Sequence, residues 1–450
     1  MWIIKAIWTH LLILLAGLGA IARLVGLVIG SLFGGGGSLK SRLIARFTSA
    51  KGQRLVFDVA RAFLPNIAIK HKIITAYDNN GTAFVTRYDD VKEVLGRDSD
   101  FEVVYGPRMM LITNGANFFL GMQNTPEYTR DVSNMRLAAR RSDVAGIVAP
   151  CIAREASAIV AATLDRMDVP QDLTLRVPVL LLRDYFGTPG PSEADMIGWT
   201  TILFWYLFID LNADPALDAR AMTAAGHLRD YLDAAIQARK ASGAETDDIL
   251  GRCLVMQRAG LPGMDDLGIR NNLVGLLIGL VPTTSKAAIL ALDQLLDRPE
   301  ALAGAQHAAR RNDDAALAAY VFEALRFNPV NPVIYRRATR DTEVAPNTWR
   351  TSKIRRGTMV MAANLSAMFD RLRIDSPNDF KTDRPWSDYM LWGDGMHTCF
   401  GAYINQVTIP GILKPLLQRQ GLRRAAGSAG RIDTDGTPFP VHFQVEFDAG

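Results

Sequence analysis

The sequence predicts a mainly α-helical protein with a small β portion, folded as a single large domain. Three observations predict it. From Thr125 to about Leu296 the apolar residues recur at helical spacing, with breaks at Pro170, Gly187 to Pro191, Asp214-Pro215 and Leu261 to Gly263. Within that run Asn271 to Leu296 is apolar almost all round, the pattern of a helix buried through the middle of a large domain. Residues 328 to 397 are irregular and Pro-rich with a few short strands, and a final helix is expected from about Phe400 to Gln418.

The elements before Thr125 are shorter. From Ala6 to Ala22 only Thr9 and His10 interrupt an apolar run that Lys5 precedes and Arg23 follows, and a second apolar stretch reaches Phe33. The Gly34 to Gly37 run then reads as a linker, so the expected division is a hydrophobic segment over 1–37 and one catalytic domain over 38–450. Phe57 to Leu64 has the spacing of a short helix that stops at Pro65. Lys72 to Tyr77 and Thr82 to Thr86 flank the turn signal Asn79-Asn80-Gly81 and are expected to pair as a hairpin. Asp89 to Gly96 returns to helical spacing.

Composition removes several functions. The net charge of +4 is small for 450 residues, and no basic run interleaved with aromatics supports nucleic acid binding. Cys151, Cys253 and Cys399 are too few and too scattered for a disulfide framework, which points to a reducing compartment. There is no CxxC, HExxH, P-loop or helix-opening GxGxxG, so common zinc, nucleotide and dinucleotide sites lack their anchors.

One motif stands out. The segment Trp392-Gly393-Asp394-Gly395-Met396-His397-Thr398-Cys399-Phe400-Gly401 sets three glycines around a cysteine that opens a helix. Backbone N–H groups at a helix N-terminus stabilise a thiolate, and a thiolate is a ligand for haem iron that favours O–O cleavage. Glycines let the backbone approach a flat macrocycle, and His397 is placed to meet a propionate. The segment resembles the haem loop of the cytochrome P450 superfamily of haem-thiolate monooxygenases, F-x-x-G-x-H-x-C-x-G, with Trp392 in place of the first Phe.

The resemblance covers nearly everything after the N-terminal segment and implies a helical domain around buried haem b, with Cys399 on the iron and Trp392, Gly393, His397 and Gly401 beside it. It also implies a structural network. Glu323 and Arg326 match the E-x-x-R of the family, at a spacing that puts both on one helix face, and Arg384 resembles the third member. Arg336, with Arg337 as its unexcluded neighbour, matches a propionate-binding arginine. Many members place a His and an Arg where this chain has Tyr128 and Val132. Arg130 or Arg136 is left to take over, with Arg130 preferred.

A second departure concerns the central helix, which in the family carries A-G-x-[D/E]-T for proton relay. Here the stretch is Gly279-Leu280-Val281-Pro282-Thr283-Thr284, with Pro282 at the acid position. Proline has neither a side-chain proton nor an N–H to give, and it is expected to kink the helix. Thr283, and with it Thr284, remains a candidate catalytic hydroxyl, or bonds back to a helix carbonyl instead.

Three mechanisms follow, in this order: a monooxygenase using O2 and a ferredoxin or flavoprotein reductase, a peroxide-using enzyme, or an isomerase of a substrate hydroperoxide or endoperoxide. A haem-based gas or ligand sensor is the reading of another class. The expected pocket, from Tyr105 to Leu120, Ile202 to Phe208, Leu276, Leu280 and Val333-Ile334, is apolar and suits a small lipophilic substrate. The N-terminal segment reads as a membrane anchor or surface helix rather than a cleaved signal, because a free-thiol haem site suits the cytoplasmic side.

Overall fold

A computed structural model describes residues 2–33 and 38–448. The chain forms two compact units, one of Met1–Ile74, Asp78–Glu102 and Arg326–Thr398, the other of Thr75–Tyr77, Val103–Leu325 and Cys399–Gly450. Neither unit is one continuous stretch, so no linker in the sequence marks the division.

The first unit is built on a five-stranded sheet in the order Asn66–Ile69, Thr82–Val85, Met359–Ala362, Ile334–Ala338, Phe101–Glu102. Thr82–Val85 runs parallel to Met359–Ala362, and the other pairings are antiparallel. Val85, Leu95, Phe101, Val360 and Leu365 are among the residues that close its apolar core.

The expected hairpin is corrected here. Lys72 to Tyr77 forms no strand, and Asn66–Ile69 pairs with Thr82–Val85 in its place, with Ile67 opposite Phe84. The physical reason is the Pro65 carbonyl, which accepts from both the N–H (3.1 Å) and the hydroxyl (2.8 Å) of Thr86 and so sets the register immediately after the helix. Asn79 still organises the connection, donating to the Ile74 carbonyl at 2.6 Å.

Helix α1 (Trp2–Leu32) joins the two expected apolar stretches into one element. Next come α2 (Leu39–Thr48), which sequence reasoning missed, and α3 (Ala50–Phe63), of which the expected helix is only the last part. Ser38 and Ser49 start them by accepting from the N–H groups of Ser41 and Gly52, a strong N-cap signal. Among the described residues α1 packs on α2 and α3. A Cβ on Gly17 would lie 2.4 Å from that of Ala62, and Arg46 and Arg42 donate to the carbonyls of Leu27 (3.0 Å) and Ser31 (2.9 Å). The expected linker, Gly34 to Gly37, lies outside the described residues.

The second unit is helical, around a central helix, Asp266–Leu296, whose first turn Asp265 caps through the Gly268 N–H at 2.7 Å. The expected breaks are present: Gly187 ends a helix at φ 72°, and Asp214-Pro215 and Gly263 (φ 79°) bracket others. Pro282 leaves the central helix continuous, with the Ile278 carbonyl deprived of its usual donor. The final helix is Ala402–Gln418, and a small sheet of Arg166–Asp168, Gln444–Glu446 and Arg423–Arg424 was not foreseen.

Candidate functional site

The cysteine loop is shaped by its glycines. Gly393 and Gly395 have φ of +75° and +76°, and a Cβ on Gly395 would lie 2.2 Å from the Leu95 carbonyl oxygen, so only glycine fits there. The Thr398 N–H (3.1 Å) and hydroxyl (2.8 Å) both donate to the Gly395 carbonyl, closing the turn just before Cys399. Trp392 stacks on Trp386 at 5.1 Å, and His397 is half-buried.

In the second unit Cys399 leads into the final helix. Burial pushes its thiol up, opposed by the N–H groups of Gly401 and Ala402 and by the Arg136 guanidinium. Arg136 donates to the Phe400 carbonyl at 2.7 Å and lies 3.8 Å over the Phe400 ring. Three electropositive groups therefore oppose the desolvation of the sulfur, a setting that suits a thiolate ligand of a bound cation. That donor set fits haem iron. Cys151 and Cys253 are buried and pushed up to about 12, Cys151 beside the Asp184 carboxylate as well as Arg154 and Cys253 facing Asp248, which leaves Cys399 as the thiolate candidate.

The arginines separate by their partners. Arg336 is buried in its strand and donates to the Tyr335 carbonyl at 2.9 Å, and Arg337 beside it pairs with Glu102 at 2.7 Å. Arg130 pairs with the adjacent Asp131 at 2.7 Å, and Arg136 donates to the Phe400 carbonyl at the start of the cysteine helix. Glu323 and Arg326 are fully buried on the helix Asp314–Phe327. Arg326 donates to the carbonyls of Met368 (3.0 Å) and Asp379 (3.2 Å), and Arg384 reaches the same Asp379 carbonyl at 2.9 Å, so two members of the expected network meet there. Gly401 carries no positive φ and meets only Asn405 at 3.8 Å, so its place is not set by space.

On the central helix three successive hydroxyls are engaged. Thr283 donates to the Gly279 carbonyl, Thr284 to Asn405 Oδ1 at 3.2 Å, and Ser285 shares a 2.8 Å hydrogen bond with Thr174. From Asn271 to Leu292 the helix is buried except for Leu276, Gly279, Thr283 and Lys286, whose 3-4-3 spacing draws one half-buried stripe. An apolar surface stands near it. Gly275 lets the Phe118 ring approach within 2.5 Å of its Cβ position, Tyr105 meets Phe208 at 4.8 Å, and Phe204 meets Phe208 at 4.7 Å and Phe439 at 6.0 Å. Tyr105, Phe118, Phe204 and Phe208 fall in stretches that the sequence assigned to a pocket, Phe439 and Lys286 do not, and Leu280, also assigned there, is buried off the stripe. The period-3.6 position of Lys286 relative to Thr283 was the available signal; for Phe439, in a loop, there was none.

Comparisons with known proteins follow the same line. The family model described as Cytochrome P450 matches residues 193–423. Cyclomarin C epoxidase CymV of Salinispora arenicola is 26% identical over 321 residues, covering 71% of this chain and 77% of that protein. Linoleate diol synthase of Gaeumannomyces graminis is 39% identical over 83 residues, 18% of this chain and 7% of that longer protein. The crystal structure of CalO2 superposes with a TM-score of 0.73 at 21% identity, over 89% of this chain and 97% of that one, a likeness of fold. With half of the chain matched by the family model, and with the cysteine loop, the buried arginine pair and the central helix in place, the chain belongs to the cytochrome P450 family.

Proposed function

We propose that this protein is a haem-thiolate monooxygenase that oxidises a small lipophilic substrate, with the Cys399 thiolate as the ligand of haem b, O2 as oxidant and a ferredoxin or flavoprotein reductase as electron source. The single observation that carries it is the electropositive setting of Cys399, made by the Gly401 and Ala402 N–H groups and Arg136. Arg336 and His397 are proposed to hold the propionates. When bound, the haem supplies the oxygen chemistry; the chain supplies ligand charge, orientation and exclusion of water. The rings of Tyr105, Phe204, Phe208 and Phe439 offer the apolar wall for the substrate.

The test is spectroscopic. The reduced holoprotein with carbon monoxide is expected to show the strongly red-shifted Soret band of thiolate ligation, and Cys399→Ser to abolish it. A band typical of histidine ligation in the native protein overturns the assignment.

A second reading, isomerisation of a substrate hydroperoxide, has an observation of its own. Pro282 replaces the acid, and the Thr283 and Thr284 hydroxyls already donate to Gly279 and Asn405, so the acid–alcohol positions hold no proton ready for delivery. A substrate that brings its own O–O bond needs none. Rapid consumption of a fatty acid hydroperoxide without reductase, alongside negligible reductase-driven turnover, would select this reading over the first.

A further inference from the structure

One cation lies on the open stripe of the central helix. Lys286 follows Thr283 by three residues, so the two side chains leave the helix about 60° apart and about 4.5 Å along its axis. Its ammonium lies 5.6 Å from the centroid of the Phe439 ring, which in turn meets Phe204. Other buried cations of the chain are paired: Arg87 with Asp370 and Arg108 with Asp210 at 2.8 Å, Arg252 with Asp143 at 2.5 Å. Lys286 differs. Burial alone moves its pKa, down to about 8, and no carboxylate acts on it. An ammonium held against aromatic rings without a counter-charge is costly, and an arriving anion recovers that cost.

We propose that Lys286 receives the carboxylate of the substrate, whose apolar chain lies along Leu276, Gly279 and Thr283. This deepens the reading of that stripe as the substrate face and narrows the lipophilic substrate to a lipid acid. The test is calorimetric titration of the full-length holoprotein with fatty acids from octanoate to stearate and with their methyl esters. The acid is expected to bind more tightly than its ester. Lys286→Met should weaken the acid by roughly thirtyfold and leave the ester unchanged, and Lys286→Arg should restore most of the difference. Equal binding of acid and ester by the native protein, or an equal loss for both in Lys286→Met, overturns the proposal. Because heat is read rather than turnover, a failure of the Cys399 assignment would appear separately, in the carbon monoxide spectrum.

A different observation concerns α1. Its packed stripe is Ile13, Gly17, Ala20 and Ser31, and Trp8, Leu11, Leu15, Leu18, Val25 and Ile29 line the opposite side, all exposed. Thr9 is half-buried beside the packed stripe, and His10 and Arg23 are exposed at its edges. The first 57 residues contain seven Lys and Arg and no acid, out of 50 cations in the chain, which leaves 43 cations against 46 acids in the remainder. Such a basic, apolar end is complementary to an anionic lipid surface.

The packing decides how deep it goes. From Gly17 to Ser31 the helix is clamped antiparallel to α3 and α2, and α3 is tied to its unit by Arg61, which donates to the carbonyl and hydroxyl of Ser366 at 2.8 Å. Within the described helix Trp2 to Leu12 precedes the packed stripe, about 16 Å of helix, against about 30 Å of bilayer hydrocarbon. We infer that α1 lies in one leaflet of an anionic membrane with its Trp8-to-Ile29 side in the lipid, and does not cross.

Flotation of the full-length protein with sealed phosphatidylcholine vesicles, with and without phosphatidylglycerol, tests this. Binding is expected to need the anionic lipid, and Lys40→Gln with Lys51→Gln to weaken it roughly thirtyfold. An epitope added ahead of Met1 should remain open to protease outside the vesicles. Protection of that epitope, indicating a crossing, overturns the inference; so does self-association in solution without vesicle binding, which gives the face to a second copy.

Discussion

Gly395→Ala is expected to damage the cysteine loop far more than Gly393→Ala, although both glycines sit at nearly the same positive φ. Each alanine meets the left-handed strain of an L residue, about 1–2 kcal/mol. At Gly393 the nearest atom to the new Cβ is the flexible Ile334 Cδ1 at 3.2 Å, which can give way, so the cost stays near that figure. At Gly395 the Cβ would lie 2.2 Å from the Leu95 carbonyl oxygen and 3.0 Å from its carbon. Backbone cannot rotate aside, so the loop must shift, and the Thr398 bonds to the Gly395 carbonyl go with it. Losing those adds about 1–3 kcal/mol, for a total of about 2–5 kcal/mol. Two measurements read the difference. Gly395→Ala should convert much of the red-shifted carbon monoxide band to a form without thiolate ligation and lower Tm by about 2–5 °C, taking unfolding entropy as proportional to 450 residues. Gly393→Ala should keep the band and lose about 1–2 °C on the same basis. Equal spectra and equal Tm values for the two variants would refute the reasoning.

Other perturbations probe the network and the helix. Arg326→Met orphans the buried Met368 carbonyl, while Asp379 keeps its bond from Arg384, and should cost about 1–3 kcal/mol in denaturant unfolding, with Arg326→Lys intermediate. Pro282→Asp restores the acid and should raise reductase-driven turnover by about tenfold or more if the monooxygenase reading holds, with hydroperoxide consumption little changed. The depressed pKa of Lys286 has a signed consequence: its charged form opposes folding below about 8, and the unfolded chain binds more protons above it. Stability should therefore rise between about pH 8 and 10.4 in the native protein relative to Lys286→Met, and fatty acid binding in that range should take up a proton, measurable as a buffer-dependent heat.

Periodicity was enough to read the helical class and the central helix, because each depends on neighbours a few residues apart in the chain, whereas the roles of the cysteine loop and the E-x-x-R residues came from the family resemblance. Cys399 was legible as a motif because its glycines and the helix it opens are local. The strand pairing was not, since Asn66–Ile69 wins its place through the Pro65 carbonyl and Thr86, a choice among partners that only packing makes. Nor could spacing distinguish Arg336 from Arg337, or Arg130 from Arg136, because adjacent or nearby arginines differ only in which acid or carbonyl they reach. The same holds for the hydroxyl of Thr283, for the clamp that shortens the free length of α1, and for Lys286. Residue types and periods follow from short-range chemistry along the chain, whereas the partner of a charge or a hydroxyl is decided by groups that folding brings in from far away.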